Sequence, residues 1–156
     1  MENTVNSGTV EVLNDLIEIN NDRIEGYEKA ARETVNDPNS LNELYTKMAA
    51  QSKDIVSELR RSVTNLGGTA EEGTTMSGKI YRAWMDVKSA FTTDDTRSTL
   101  ELCEFGEDAA QKAYTTALAS DEFLPTDIRT IIANQKADLK LSHDVIKRYR
   151  DASVNN

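Results

Sequence analysis

The fold turns on Glu104-Phe105-Gly106-Glu107-Asp108-Ala109-Ala110-Gln111-Lys112-Ala113-Tyr114. Leu100, Cys103, Glu107, Ala110, Tyr114 and Ala117 recur at steps of three and four, which makes this the middle of a long amphipathic helix. A carboxylate, Glu107, falls on the face that packing should keep apolar. The other three long helical patterns also carry a polar residue near the middle of their stripes: Asn20, Ser52 and Gln135. These four residues are expected to form a polar core layer, hydrogen-bonded to one another or to ordered water. An ionised Glu107 there is costly without such partners, so the expectation is a protonated carboxyl or one that reaches toward solvent.

Around this stretch the helix runs from about residue 95 to 120, with Thr92-Thr93-Asp94-Asp95 offering N-caps. Leu124-Pro125-Thr126-Asp127 breaks the chain and starts a helix over about 125–151, with Pro125 in its first turn. Its inner seam is Ile128, Ile132, Gln135, Leu139, Ser142, Ile146 and Tyr149. Upstream, a shorter pattern over 77–91 carries Ile80, Trp84, Val87 and Phe91 and reads as a helix inside a crossover, anchored by Trp84. A helix over about 38–66 follows Asp37-Pro38 and ends at Gly67-Gly68. The first helix is expected over about 9–35, with Val10, Leu13, Ile17, Ile24, Tyr27 and Ala31 facing in. Glu11, Asp15, Glu18, Arg23 and Lys29 then form its solvated face.

Short joins make two antiparallel hairpins, and a connection of about 25 residues separates them, long enough to travel the length of the bundle. The expected architecture is all-α: a single domain over residues 1–156 forming a ferritin-like four-helix bundle, its two hairpins joined by a long crossover that contains a short extra helix.

A formal net charge of -9, with no basic stripe, argues against nucleic acid as a partner. The polar N-terminus lacks a signal-peptide core, and no apolar run approaches membrane-spanning length. One cysteine, Cys103, forms no intrachain disulfide and suits a reducing, cytoplasmic setting. On the inner seam it is expected to behave as a small hydrophobe. Tyr81, Trp84 and the crossover helix are the candidate surface for a homo-oligomer or a protein partner.

Gly106-Glu107 followed by Tyr114 resembles the ligand-bearing helix of rubrerythrin-type ferritin-like proteins. Aligning Tyr27 with Tyr114 brings Leu13 onto Leu100 and Asn20 onto Glu107, a weak internal repeat of the kind found in that superfamily. A second resemblance covers nearly the whole chain. Leu13-Asn14-Asp15-Leu16-Ile17-Glu18-Ile19-Asn20-Asn21-Asp22 and Gly26-Tyr27-Glu28-Lys29-Ala30-Ala31 resemble the opening of an uncharacterised bacterial four-helix-bundle family, a domain of unknown function with a ferritin-like fold. Glu58-Leu59, Gly67-Gly68, Glu104, Gly106-Glu107-Asp108, Tyr114, Leu124-Pro125 and Ser142-His143-Asp144 match its later landmarks. The resemblance implies a fold and leaves the activity open.

A carboxylate-bridged dimetal centre takes a Glu from each of two helices and a Glu-x-x-His pair from each of the other two. This chain has one histidine, His143, and Lys140 stands three residues before it. Asn20 occupies the place of a ligand Glu on the first helix. No cofactor is therefore expected. Iron or another divalent metal, held at a mononuclear site by Glu104, Glu107 and His143, is the disfavoured alternative. With no catalytic signature in view, the sequence favours a non-enzymatic bundle, stress-related or partner-binding, with a degenerate metal centre. A metal-binding or redox protein using Glu107, and a small-ligand-binding bundle, remain the alternatives.

Overall fold

The computed structural model describes residues 4–36, 41–73, 96–120 and 124–153. Among these the chain forms four helices and no strand: α1 (Thr4–Glu33), α2 (Leu41–Asn65), α3 (Thr96–Leu118) and α4 (Thr126–Ala152). The expected helix over 77–91, its Trp84 and Tyr81, and the Asp37-Pro38 start lie outside the described residues.

Pairing directions follow from the side-chain bonds. Arg23 meets Met48 and Asn20 meets Ser52, so α1 and α2 are antiparallel. Gln111 reaches Lys136 O while Arg97 reaches Arg150 O, so α3 and α4 are antiparallel. Between the pairs, Arg23 bonds Glu107 and Asn20 bonds Tyr114, which sets α1 against α3 in opposite directions. Glu58 with Gln135 and Gln51 with Ser142 do the same for α2 and α4.

Two apolar clusters fill the bundle, one toward each end. Leu13, Leu16, Ile17, Ile55, Leu59, Val63, Ile128, Ile132 and Leu139 belong to the first. Tyr27, Leu41, Leu44, Tyr45, Met48, Leu100, Cys103 and Ile146 belong to the second. Tyr27 and Tyr45 stack there with ring centroids 5.9 Å apart. No described helix is long and apolar enough to cross a membrane.

Helix α1 departs from expectation in two ways. It begins at Thr4 and not at Thr9, and Thr9 is fully buried within it. One seam of its innermost residues is Thr9, Leu13, Leu16, Asn20, Arg23, Tyr27 and Ala30, none more than 1% exposed. This seam shares Leu13, Asn20 and Tyr27 with the expected stripe, and Ile17 of that stripe is fully buried beside it. The seam replaces Val10, Ile24 and Ala31, which are only partly buried, with Thr9, Arg23 and Ala30. Arg23, assigned from sequence to the solvated face, is therefore an interior residue.

The reason is that α1 is covered on a second side. Helix α2 ends in a glycine motif: Gly67 adopts φ 83°, its N–H donates to Thr64 O, and the Gly68 N–H donates to Val63 O. The chain then turns back along α1. A Cβ on Gly68 would lie 2.8 Å from both Val10 methyls, so only glycine fits that approach. Asn14 grips the returning strand with both ends of its amide. Its Nδ2 donates to Thr69 O (3.0 Å) and its Oδ1 accepts from the Glu71 N–H (2.9 Å). Asn21 Nδ2 donates to Gly73 O (2.8 Å). Contacts thus advance from Val10 to Asn21, about 16 Å of helix at 1.5 Å per residue. Val10 and Ile24 face this strap, which explains why the apolar pattern of α1 is wider than a single seam.

Helix α4 starts one residue later than expected, with Pro125 at the N-cap position and its carbonyl accepting from the Arg129 N–H.

Candidate functional site

A belt of polar side chains crosses the core between the two apolar clusters. Asn20, Arg23, Ser52, Glu107 and Gln135 are all buried, each at most 2% exposed. Arg23 organises it. Its Nε donates to Glu107 Oε1 at 2.6 Å and its Nη2 to Glu107 Oε2 at 2.9 Å, a two-pronged charge-assisted pair. Nη1 donates to Ser52 Oγ (2.8 Å) and Met48 O (3.1 Å), while Nη2 also points at Met48 Sδ (3.4 Å). All five N–H groups of the guanidinium therefore have an acceptor. The Arg23 Cζ also lies 5.0 Å from the centre of the Tyr27 ring, within cation–π range.

Burial alone pulls the guanidinium down, but the charge and hydrogen bonds of Glu107 hold it above its ordinary value. Glu107 is not solvent-directed: both of its oxygens face a cation from α1. The same environment pushes other groups up. Burial, then the nearby Glu107, raises the Cys103 thiol, and burial, then Glu107, raises the Tyr27 phenol well above its usual value. Tyr114 is raised by burial as well, against the hydrogen bond it accepts from Asn20.

The polar layer expected from sequence consisted of Asn20, Ser52, Glu107 and Gln135. The structure joins these four through Arg23 and Tyr114: Ser52 Oγ donates to Asn20 Oδ1, Asn20 Nδ2 donates to Tyr114 OH, and Tyr114 OH donates to Gln135 Oε1. Asn20 bonds Tyr114, the counterpart of Tyr27, and Glu107 reaches the Tyr27 face through Arg23.

Glu104, Glu107 and His143, the candidate metal ligands, are differently placed. Glu104 and His143 meet on the outer α3–α4 seam, with His143 Nε2 3.9 Å from Glu104 Oε2. His143 bonds more closely to Asp108 (2.7 Å) and Asp144 (3.1 Å), and Arg150 holds Glu104. Glu107 faces inward and belongs to Arg23. Among the described residues, no group of three or more His, Cys, Asp or Glu is arranged to hold a metal ion. Nor does the core fit the dimetal centre of ferritin-like proteins. Glu107, the carboxylate of the central belt, has both oxygens taken by a guanidinium, and the other belt residues are neutral amides and hydroxyls.

Arg23 and Tyr114 completed the site and were missed as members of it. The available signal was the seam Thr9–Leu13–Leu16–Asn20–Arg23–Tyr27–Ala30, which keeps helical spacing but is less apolar than its competitor.

No curated protein matches the chain. Residues 8–120, which include most of α1 and all of α2 and α3, match the family described as Domain of unknown function (DUF2383), and the chain belongs to that family.

Proposed function

We propose that this protein is a non-enzymatic, ferritin-like bundle of the rubrerythrin type, whose central charge is supplied by its own arginine in place of metal. The observation that carries this is the two-pronged Arg23–Glu107 pair, fully buried at mid-bundle. In a dimetal protein, inward carboxylates are balanced by divalent cations. Here one carboxylate is balanced by one guanidinium, whose remaining donors are spent on Ser52, Met48 O and Met48 Sδ. A metal at Glu107 would have to displace a cation that already satisfies both oxygens.

The helix directions support the one-crossover topology of ferritin-like folds, since α2 and α3 both run opposite to α1. The strap along α1 supports it too, because it heads toward the end of the bundle from which α3 starts. A bundle without a reactive centre serves through its surface, in a structural, stress-related or partner-binding role in the bacterial cytoplasm.

Elemental analysis tests the reading. Protein prepared without chelator should carry no stoichiometric iron, manganese or zinc. Bound metal that disappears in Glu107→Ala would overturn it.

A further inference from the structure

Five hydrogen bonds lead from Arg23 to Glu58, and every one points the same way. Arg23 Nη1 donates to Ser52 Oγ (2.8 Å), and Ser52 Oγ donates to Asn20 Oδ1 (2.9 Å). Asn20 Nδ2 donates to Tyr114 OH (3.0 Å), and Tyr114 OH donates to Gln135 Oε1 (2.8 Å). Gln135 Nε2 then donates to Glu58 Oε1 (2.8 Å). The chain visits all four helices. Its interior members are buried, and Glu58, half-buried, is its outlet at the rim.

The direction is dictated at both ends, because a guanidinium only donates and an ionised carboxylate only accepts. In the middle, a second donation from Asn20 Nδ2 to Leu16 O (2.8 Å) pins the orientation of that amide. The Ser52 and Tyr114 hydroxyls each accept once and donate once, so each has one consistent setting of its proton.

We propose that Glu58 is a positioning residue: from the rim it fixes the Gln135 amide and the Tyr114 proton in the direction that Arg23 and Leu16 O set at the other end, and so helps hold the Arg23–Glu107 pair seated. If the rim group becomes a donor, Gln135 must turn its oxygen outward and its amide N–H toward Tyr114. The Tyr114 hydroxyl then faces two donors, Gln135 and Asn20, and its own proton has no acceptor along the chain. A buried polar group goes unsatisfied, and relief requires Asn20, Ser52 and Arg23 to shift in turn. The inference rests on the direction of the bonds and stands or falls separately from the question of metal.

The test is side-chain NMR of the full chain, following the Asn20 amide and the Arg23 Nε–H. Glu58→Lys is expected to move both resonances, although Glu58 touches neither group. Glu58→Gln, which keeps an acceptor at the rim, should leave both in place. In a Tyr114→Phe background the chain is cut, and Glu58→Lys should then move neither. Equal shifts with and without Tyr114→Phe would mean that the field of the new charge acts directly, and would overturn the proposal. Absence of any shift in Glu58→Lys would do the same. In parallel, the combined effect of Glu58→Lys and Tyr114→Phe on the unfolding constant should depart from the product of the single effects by more than about twofold. If Glu58→Lys alone does not fold, adding Tyr114→Phe should restore folding, and a double variant that also fails to fold counts against the proposal.

Discussion

Glu104 and Glu107 stand one turn apart on α3, and each meets an arginine from another helix. Glu107 and Arg23 are 1% and 0% exposed, and the guanidinium is enclosed by Ser52, Met48 and the Tyr27 ring. Glu104 and Arg150 lie on the α3–α4 seam at 14% and 22%, where Arg150 also pairs with Asp151 and where His143 links Asp108 and Asp144. The chemistry is the same and the consequences differ. Water can replace either partner of the outer pair. In the inner pair, removal of one partner strands the other in an apolar interior. One helix can thus carry a charge that holds the core together and a charge that decorates its edge, with depth alone as the difference.

The largest difference between the two pairs should show in Arg23→Ala. It should cost about 3–5 kcal/mol in denaturant unfolding, because Glu107 is left buried without its counterion. That is a large part of the roughly 5–15 kcal/mol expected for a domain of this kind. Replacing both partners, Arg23→Met with Glu107→Leu, should recover most of that loss, since neither buried charge remains. A double variant as unstable as Arg23→Ala alone would show that the stranded charge of Glu107 is not the source of the loss.

The inner site also predicts behaviour at high pH. Tyr27, Tyr114 and Cys103 all have their proton-loss equilibria raised in the folded state by burial. Above about pH 9 the unfolded chain loses these protons and the folded chain keeps them, so stability falls as pH rises. Melting temperature measured from pH 8 to 11 should drop, and the slope should lessen in Cys103→Ala. The same burial predicts that a thiol reagent at pH 8 labels Cys103 only after unfolding.

At the outer seam, Arg150→Ala should produce only a marginal fall in melting temperature, because its partners keep access to water. Smallest of all is Glu18→Gln. Burial first, and then Glu71, Asp15 and Asp22, push the Glu18 carboxyl up, so removing its charge beneath the strap should raise the melting temperature slightly.

The helices and their pairing were legible because steps of three and four, the Gly67-Gly68 stop and the Leu124-Pro125 break are local signals. Asn20, Ser52, Glu107 and Gln135 were legible as interruptions of apolar stripes. Arg23 was not, because a charged residue beside a more apolar series reads as surface. Two members of the series that hid it, Val10 and Ile24, are apolar for a different reason: they lie under the strap that follows α2. That strap is held by Asn14 and Asn21, polar residues whose bonding partners are backbone groups some fifty residues away. A contact of that range leaves no periodic trace in the sequence. The separation of Glu104 from Glu107 was equally hidden, since one helical turn can place two carboxylates on different faces of the same packed helix.

The decisive experiment is a crystal structure of protein prepared without chelator, with anomalous data collected at the iron, manganese and zinc edges. Guanidinium density should clasp both oxygens of Glu107, with no anomalous peak beside it. An anomalous peak within bonding distance of Glu107, with Arg23 turned away, would contradict the pairing of Arg23 with Glu107.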